Sequence, residues 1–220
     1  MTPRRLPPLT EDELMIRARA LDGLAAGELA RHVGFPLGSD PLRSKGHIGE
    51  LVERALGATA GNQDQPDFPA LGVELKTVPL DEAGRVREST FVCSIDLRAL
   101  EREEWGTSRA RRKLSCVLWV PVESSRAPLA DRRLGTPRLW RPTPPQEATL
   151  RADWHELVGR ITSGGIDEVS AHLGEALQIR PKAPSGSSRV EAHGPDGEVL
   201  DVVPRGFYLR ARFTEMVLWS

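Results

Sequence analysis

The reading of the fold turns on residues 66–78, Pro66-Asp67-Phe68-Pro69-Ala70-Leu71-Gly72-Val73-Glu74-Leu75-Lys76-Thr77-Val78. From Val73 to Val78 apolar and polar residues alternate, the period-two pattern of a strand with one covered face. Glu74 and Lys76 stand two apart and so share a face. Asp67 arrives from a loop, residues 57–70, rich in Gly, Gln, Asp and Pro. Two carboxylates can hold a hard divalent cation, and the Leu75 carbonyl can add a third oxygen. A neighbouring lysine can orient or deprotonate an attacking water and stabilise developing charge. These are the parts of metal-assisted phosphodiester hydrolysis. They are also what a solvated strand face carries, so spacing alone leaves both readings open.

Working outward, Thr10-Glu11-Asp12-Glu13 has capping-box spacing and opens a helix over about 11–22. A short helix is expected over 26–33. A third runs from Lys45 to Leu56, with Ile48, Leu51, Val52, Ala55 and Leu56 at helical spacing and Gly57 as its cap. Glu53 on that helix lies fourteen residues before Asp67 and could complete the site; Glu50 and Glu53, three apart, equally suit a wet helix face. Thr90–Ile95 pairs back on 73–78 through a turn at Asp81–Gly84. A helix is expected near 99–112. Ser115–Val122 is a nearly continuous apolar run, a buried central strand, with Leu139-Trp140 as a further short strand. Residues 146–163 read as a helix, 166–172 as a short helix, 176–180 as a strand, 183–198 as a loop, and Gly206–Phe213 as a last strand before a tail helix. The expected class is α/β (α+β), a mixed central sheet flanked by helices, without Gly-x-Gly-x-x-Gly or phosphate-loop motifs.

At 220 residues the chain can bury a core without disulfides or a structural metal. With 30 Lys+Arg against 31 Asp+Glu the net charge is −1, which excludes a uniformly basic nucleic-acid binder. Residues 98–141 nevertheless hold 11 bases and 5 acids, a net +6. That block suits either a solvated helix and loop or a phosphate-facing surface. Only Lys45, Lys76, Lys113 and Lys182 are lysines; the other 26 bases are arginine. The longest apolar run, Cys116–Val122, is far short of a membrane span. The first residues lack an apolar signal region. Cys93 and Cys116 have no metal-ligand spacing. A cytoplasmic protein with reduced, buried thiols is expected.

Several separated blocks, in order, share one resemblance. They are Lys45-Gly46-His47-Ile48-Gly49 through Gly61, Gln65–Thr77, Glu88-Ser89-Thr90-Phe91-Val92-Cys93, Val117–Glu123, Leu177-Gln178-Ile179-Arg180-Pro181-Lys182-Ala183, and Pro204-Arg205-Gly206-Phe207-Tyr208-Leu209. Together they resemble the MutH family of DNA mismatch repair endonucleases, from about residue 10 onward. The resemblance implies a restriction-endonuclease-like fold, one domain over 1–220 with a catalytic lobe near 1–105 and a recognition lobe near 106–220 forming a DNA cleft. It implies Mg2+-dependent nicking of the unmethylated strand at hemimethylated GATC, activation by MutL downstream of MutS, and a monomer with no membrane partner. Mn2+ would substitute, and Ca2+ would bind with little catalysis.

Carried over residue by residue, Asp67, Glu74 and the Leu75 carbonyl are the metal ligands, Lys76 the catalytic lysine and Glu53 a supporting carboxylate. Lys45 and Lys113 fall near the active site and DNA backbone, while Glu88, counted with the DNA-binding residues, either approaches the active site or caps a turn. Arg180 and Lys182 fall in the base-reading segment, and Tyr208 near the adenine amino group. His47 stands where the family often has tryptophan, an expected change of packing. The end at Met216-Val217-Leu218-Trp219-Ser220 is shorter than in some relatives, which bears on MutL coupling. A methylation-insensitive GATC nuclease and a non-catalytic DNA-binding module on the same fold are the competing readings.

Overall fold

The computed structural model describes residues 5–38, 46–61, 63–124, 127–165, 173–182, 189–193 and 198–220. Helices α1 (Glu11–Arg19), α2 (Ala26–Val33) and α3 (His47–Leu56) precede strands β1 (Glu74–Leu80) and β2 (Thr90–Ser94). Then come α4 (Arg109–Leu114), β3 (Val117–Glu123), β4 (Arg138–Trp140) and α5 (Pro144–Thr162). The chain closes with β5 (Leu177–Pro181), β6 (Val190–His193), β7 (Val199–Val202), β8 (Arg205–Leu209) and α6 (Ala211–Trp219). The chain is mixed α/β, as its sequence predicts. The described strands form sheets of three, three and two rather than one ladder.

Residues divide into two compact units, 1–87 with 115–141, and 88–114 with 142–220. The chain therefore passes between units three times. The reason is β3, which returns to pair in parallel with β1. The +6 block is split by the same division. Its cations are widely committed: Arg111 to the Glu147 carboxylate, Arg141 to Glu11, and Arg133 to the Gly23 carbonyl at 2.7 Å.

In the first unit the order is β1-β3-β4, with Glu74 opposite Val117 and Lys76 opposite Trp119. β3 is buried from Val117 to Val122, as its apolar run requires. Pro79 is tolerated because β1 is an edge strand of its sheet, and Pro121 because β4 pairs only with Val117–Trp119. α3 buries Leu51, Val52, Ala55 and Leu56 in a core shared with Leu14, Ala18, Leu118 and Val120. At the start of α1, Thr10 Oγ1 accepts from the Glu13 amide at 3.1 Å. The Glu13 carboxylate reaches one residue further back than a capping box, to the Leu9 amide. α1 ends at Arg19, short of residue 22.

In the second unit, β8 lies between β2 and β5, antiparallel to both. Several expectations change here. β2 does not pair back on β1, which takes β3 as its partner; its partner is β8, near the end of the chain, a long-range pairing that the Asp81–Gly84 turn does not reveal. The helix expected over 99–112 is two short 3-10 turns, Leu100–Arg102 and Trp105–Thr107, followed by α4. Ser108 restarts the helix by accepting the Arg111 amide on its hydroxyl at 3.1 Å. The strand expected to reach Phe213 ends at Leu209, because the Arg210 amide turns to the Ala176 carbonyl and Phe213, Val217 and Leu218 are buried by α6. The loop expected over 183–198 contains β6, and β6 pairs with β7 as a hairpin. α5 begins earlier than 146, at Pro144, behind a Thr143–Gln146 capping box. The short helix expected at 166–172 lies outside the described residues. Cys93 and Cys116 are buried and form no disulfide. No helix among the described residues is long and apolar enough to cross a membrane.

Two side chains on neighbouring elements fix the start of β5. The buried Asp153 carboxylate on α5 accepts the Glu175, Ala176 and Leu177 amides at 2.9, 2.6 and 2.7 Å. Arg210 donates to the Gly174 and Leu173 carbonyls. Gly174 has φ +79°, and a Cβ there would overlap the Leu177 carbonyl oxygen, so this turn requires glycine.

Candidate active site

The backbone of β1 decides where its polar groups point. The Glu74 amide donates to the Cys116 carbonyl at 2.9 Å, toward β3. Along a strand the hydrogen-bonding direction alternates, so the amide and carbonyl of Leu75 face the opposite edge. There the Leu75 amide donates to Asp67 Oδ2 at 2.8 Å. The Leu75 carbonyl consequently faces the same side as the Asp67 carboxylate. Asp67 itself is set by a narrow turn: Phe68 and Val73 bridge, and the Thr59 amide donates to the Asp67 carbonyl at 3.0 Å.

Glu74 and Lys76 share a face, as their spacing dictates, and Lys76 Nζ lies 2.6 Å from Glu74 Oε1. This is not a solvated face. Asp67 is 7% exposed and Glu74 2%. The half-buried Glu53 on α3, which packs on β1, feels the same cluster. Burial first, then the Asp67 and Glu74 charges, push its carboxyl up to about 7, while the Lys76 ammonium opposes the rise.

The donor set fits a hard divalent ion: two carboxylates and a carbonyl, all oxygen. Among the described residues no three His, Cys, Asp or Glu side chains form a ready cage. The chain would thus supply only part of such an ion's six or more positions, leaving room for water and phosphate oxygens.

A second cluster occupies one face of the β2-β8-β5 sheet in the other unit. Tyr208 faces Phe91 on one side and Gln178 on the other in register. Its ring meets Phe91 edge-on, 5.3 Å between centroids. The Arg180 guanidinium carbon lies 5.9 Å from the Tyr208 ring centre, and Lys182 Nζ 3.4 Å from that of Phe91. Burial raises the Tyr208 hydroxyl pKa, with Arg180 opposing, so it stays protonated at neutral pH. Gly206 makes room: a Cβ there would come within 2.9 Å of the Phe91 ring.

The structure thus brings Asp67, Glu74, Lys76 and Glu53 together in one unit, and Arg180, Lys182 and Tyr208 in the other. Glu88 is exposed at the start of the second unit. Lys113, on α4, is 9% exposed. Lys45 lies outside the described residues. His47 packs edge-on to Phe35, 6.3 Å between centroids. The sequence alone assigns no role to Phe91, Ser89 or Ser94; the available signal for Phe91 is the period of β2, which sets it opposite Tyr208.

A mixed α/β core that presents a buried carboxylate and a lysine from an edge strand, with a second buried carboxylate from the turn before it, is the hallmark of the restriction-endonuclease-like DNA endonucleases, and the chain is an enzyme of this class. The family model described as DNA mismatch repair enzyme MutH matches residues 56–153. The chain is 47% identical over 214 residues to the DNA mismatch repair protein MutH of Shewanella amazonensis, covering 97% of this chain and 96% of that protein. It is 45% identical over 212 residues to that of Vibrio cholerae, covering 96% of each. With the Salmonella paratyphi B protein it is 47% identical over 219 residues, 99% of this chain and 95% of the other. The chain belongs to the MutH family of DNA mismatch repair enzymes.

Proposed function

We propose that this endonuclease nicks the unmethylated strand of hemimethylated GATC DNA in a Mg2+-dependent reaction activated by MutL, which acts downstream of MutS in the cytoplasm. The observation that carries the reading is the meeting of Asp67, Glu74, the Leu75 edge and Lys76 on β1, beneath Glu53.

In this reading Asp67, Glu74 and the Leu75 carbonyl hold Mg2+, which when bound supplies positive charge to the scissile phosphate. Mn2+ substitutes for it. Asp67 is held still by the Leu75 amide, so its carboxylate is oriented before any ligand arrives. Lys76 hydrogen-bonds the attacking water and stabilises charge as the P–O bond breaks. Its contact with Glu74 sets the direction of its ammonium. Glu53, with proton affinity near neutrality, adjusts the charge of the cluster as a cation arrives. Arg180, Lys182 and Tyr208 face the bases. The protonated Tyr208 hydroxyl meets the adenine amino group in the major groove, where a methyl group is visible. Glu88, Lys113 and Lys45 belong to the DNA-contacting set, and the protein acts as a monomer.

The test compares binding with cutting. Asp67→Asn and Lys76→Ala proteins should bind a hemimethylated GATC duplex in Ca2+ within a few-fold of the unaltered protein. In Mg2+ both should fail to nick it. Undiminished Mg2+-dependent nicking by either variant overturns the assigned site.

A further inference from the structure

Two long cations cross the exposed face of the β2-β8-β5 sheet, and a serine receives each. Arg180 stands opposite Gly206 on β8. Its side chain runs diagonally past Tyr208 and donates through Nη1 to the Ser89 hydroxyl at 2.6 Å, just before β2 begins. Lys182 passes over Phe91 and donates to the Ser94 hydroxyl at 3.3 Å, at the other end of β2. The Arg180 contact is the shorter and the more directional. A guanidinium is a planar fork of five N–H donors. Fixing one Nη fixes the plane and aims the opposite edge, Nε with the second Nη. A planar pair of acceptors such as guanine O6 and N7 matches that edge. An arginine on an exposed strand end would otherwise sample many rotamers, each ordering at an entropic cost.

We propose that Ser89 is a positioning residue for sequence readout: its hydroxyl holds Arg180 across Tyr208 in the orientation that takes guanine N7 and O6. The inference rests on the proposed action at GATC. Ser89 itself touches no base; it acts through Arg180.

The experiment replaces the guanine of the GATC site with 7-deazaguanine, which keeps base pairing and removes the N7 acceptor. Single-turnover nicking is measured on both duplexes with the full chain, Mg2+ and MutL. The unaltered protein should nick the 7-deaza duplex about tenfold more slowly, the scale of one lost base contact. Ser89→Ala should nick the ordinary duplex at that reduced rate, with little further loss on the 7-deaza duplex. Ser89→Thr, which keeps the hydroxyl, should restore the difference. A Ser89→Ala protein that keeps the full tenfold difference, or that slows equally on both duplexes, overturns the proposal. So does an unaltered protein indifferent to N7. Failure of the unaltered protein to nick the ordinary GATC duplex would instead overturn the reading on which the proposal rests.

Discussion

Glu53 offers a quantitative handle on the carboxylate cluster. Its pKa in the folded chain is about 7, against an ordinary 4.5. Between those values the folded state binds more protons than the unfolded state, so stability falls as pH rises. The penalty is absent below about pH 4.5 and complete above about pH 7. A shift of 7 − 4.5 = 2.5 units corresponds to roughly 3 kcal/mol at the limit. Glu53 is only partly covered, so solvent screening reduces this to on the order of 2 kcal/mol. Glu53→Gln removes the charge and should therefore stabilise the metal-free protein by about that amount at pH 8 and much less at pH 5. Urea unfolding in EDTA, comparing variant and parent at both pH values, reads the difference directly. Adding Mg2+ at pH 8 should shrink it, since bound positive charge offsets the repulsion. A difference between the two proteins that does not change with pH would refute the electrostatic picture of the cluster.

Lys76→Arg should cut far less while binding DNA nearly as well, because a wide, permanently charged guanidinium cannot replace a compact ammonium that can give up its proton; nicking within a few-fold of the parent would contradict this. Asp153→Ala should cost about 3–5 kcal/mol in urea unfolding, since it strands two buried amides and a part-buried one at the start of β5, and a loss under about 1 kcal/mol would argue against that anchoring role. Thr10→Ala should cost about 1 kcal/mol through the α1 cap, measured the same way.

Legibility in the sequence followed the range of the interactions. The alternation at 73–78 and the apolar run at 115–122 are local signals, and both became strands of the first sheet. That Glu74 and Lys76 share a face follows from strand geometry alone. What spacing could not say is whether the face is wet, because burial of Asp67 and Glu74 comes from distant chain packing over β1. The crossing at residues 88–114 was hidden for a similar reason. Parallel pairing of β1 with β3 is a long-range choice: the apolar run of β3 marks a buried strand but does not name its partner. The break of the 99–112 helix was signalled by Gly106-Thr107-Ser108, and the β6–β7 hairpin by Asp196-Gly197 between two apolar-containing runs. Helical propensity in the first case, and the Pro, Gly and Ser content in the second, outweighed those signals. The Ser89–Arg180 contact was invisible, since its partners lie 91 residues apart.

The central claim is that the Asp67–Glu74–Lys76 site cuts one strand, chosen by methylation state. Strand-resolved cleavage of unmethylated, hemimethylated and fully methylated GATC duplexes, with and without MutL, tests it most directly. Mg2+-dependent nicks should be confined to the unmethylated strand and accelerated by MutL, with the fully methylated duplex left intact. Rapid cutting of the fully methylated duplex would contradict it.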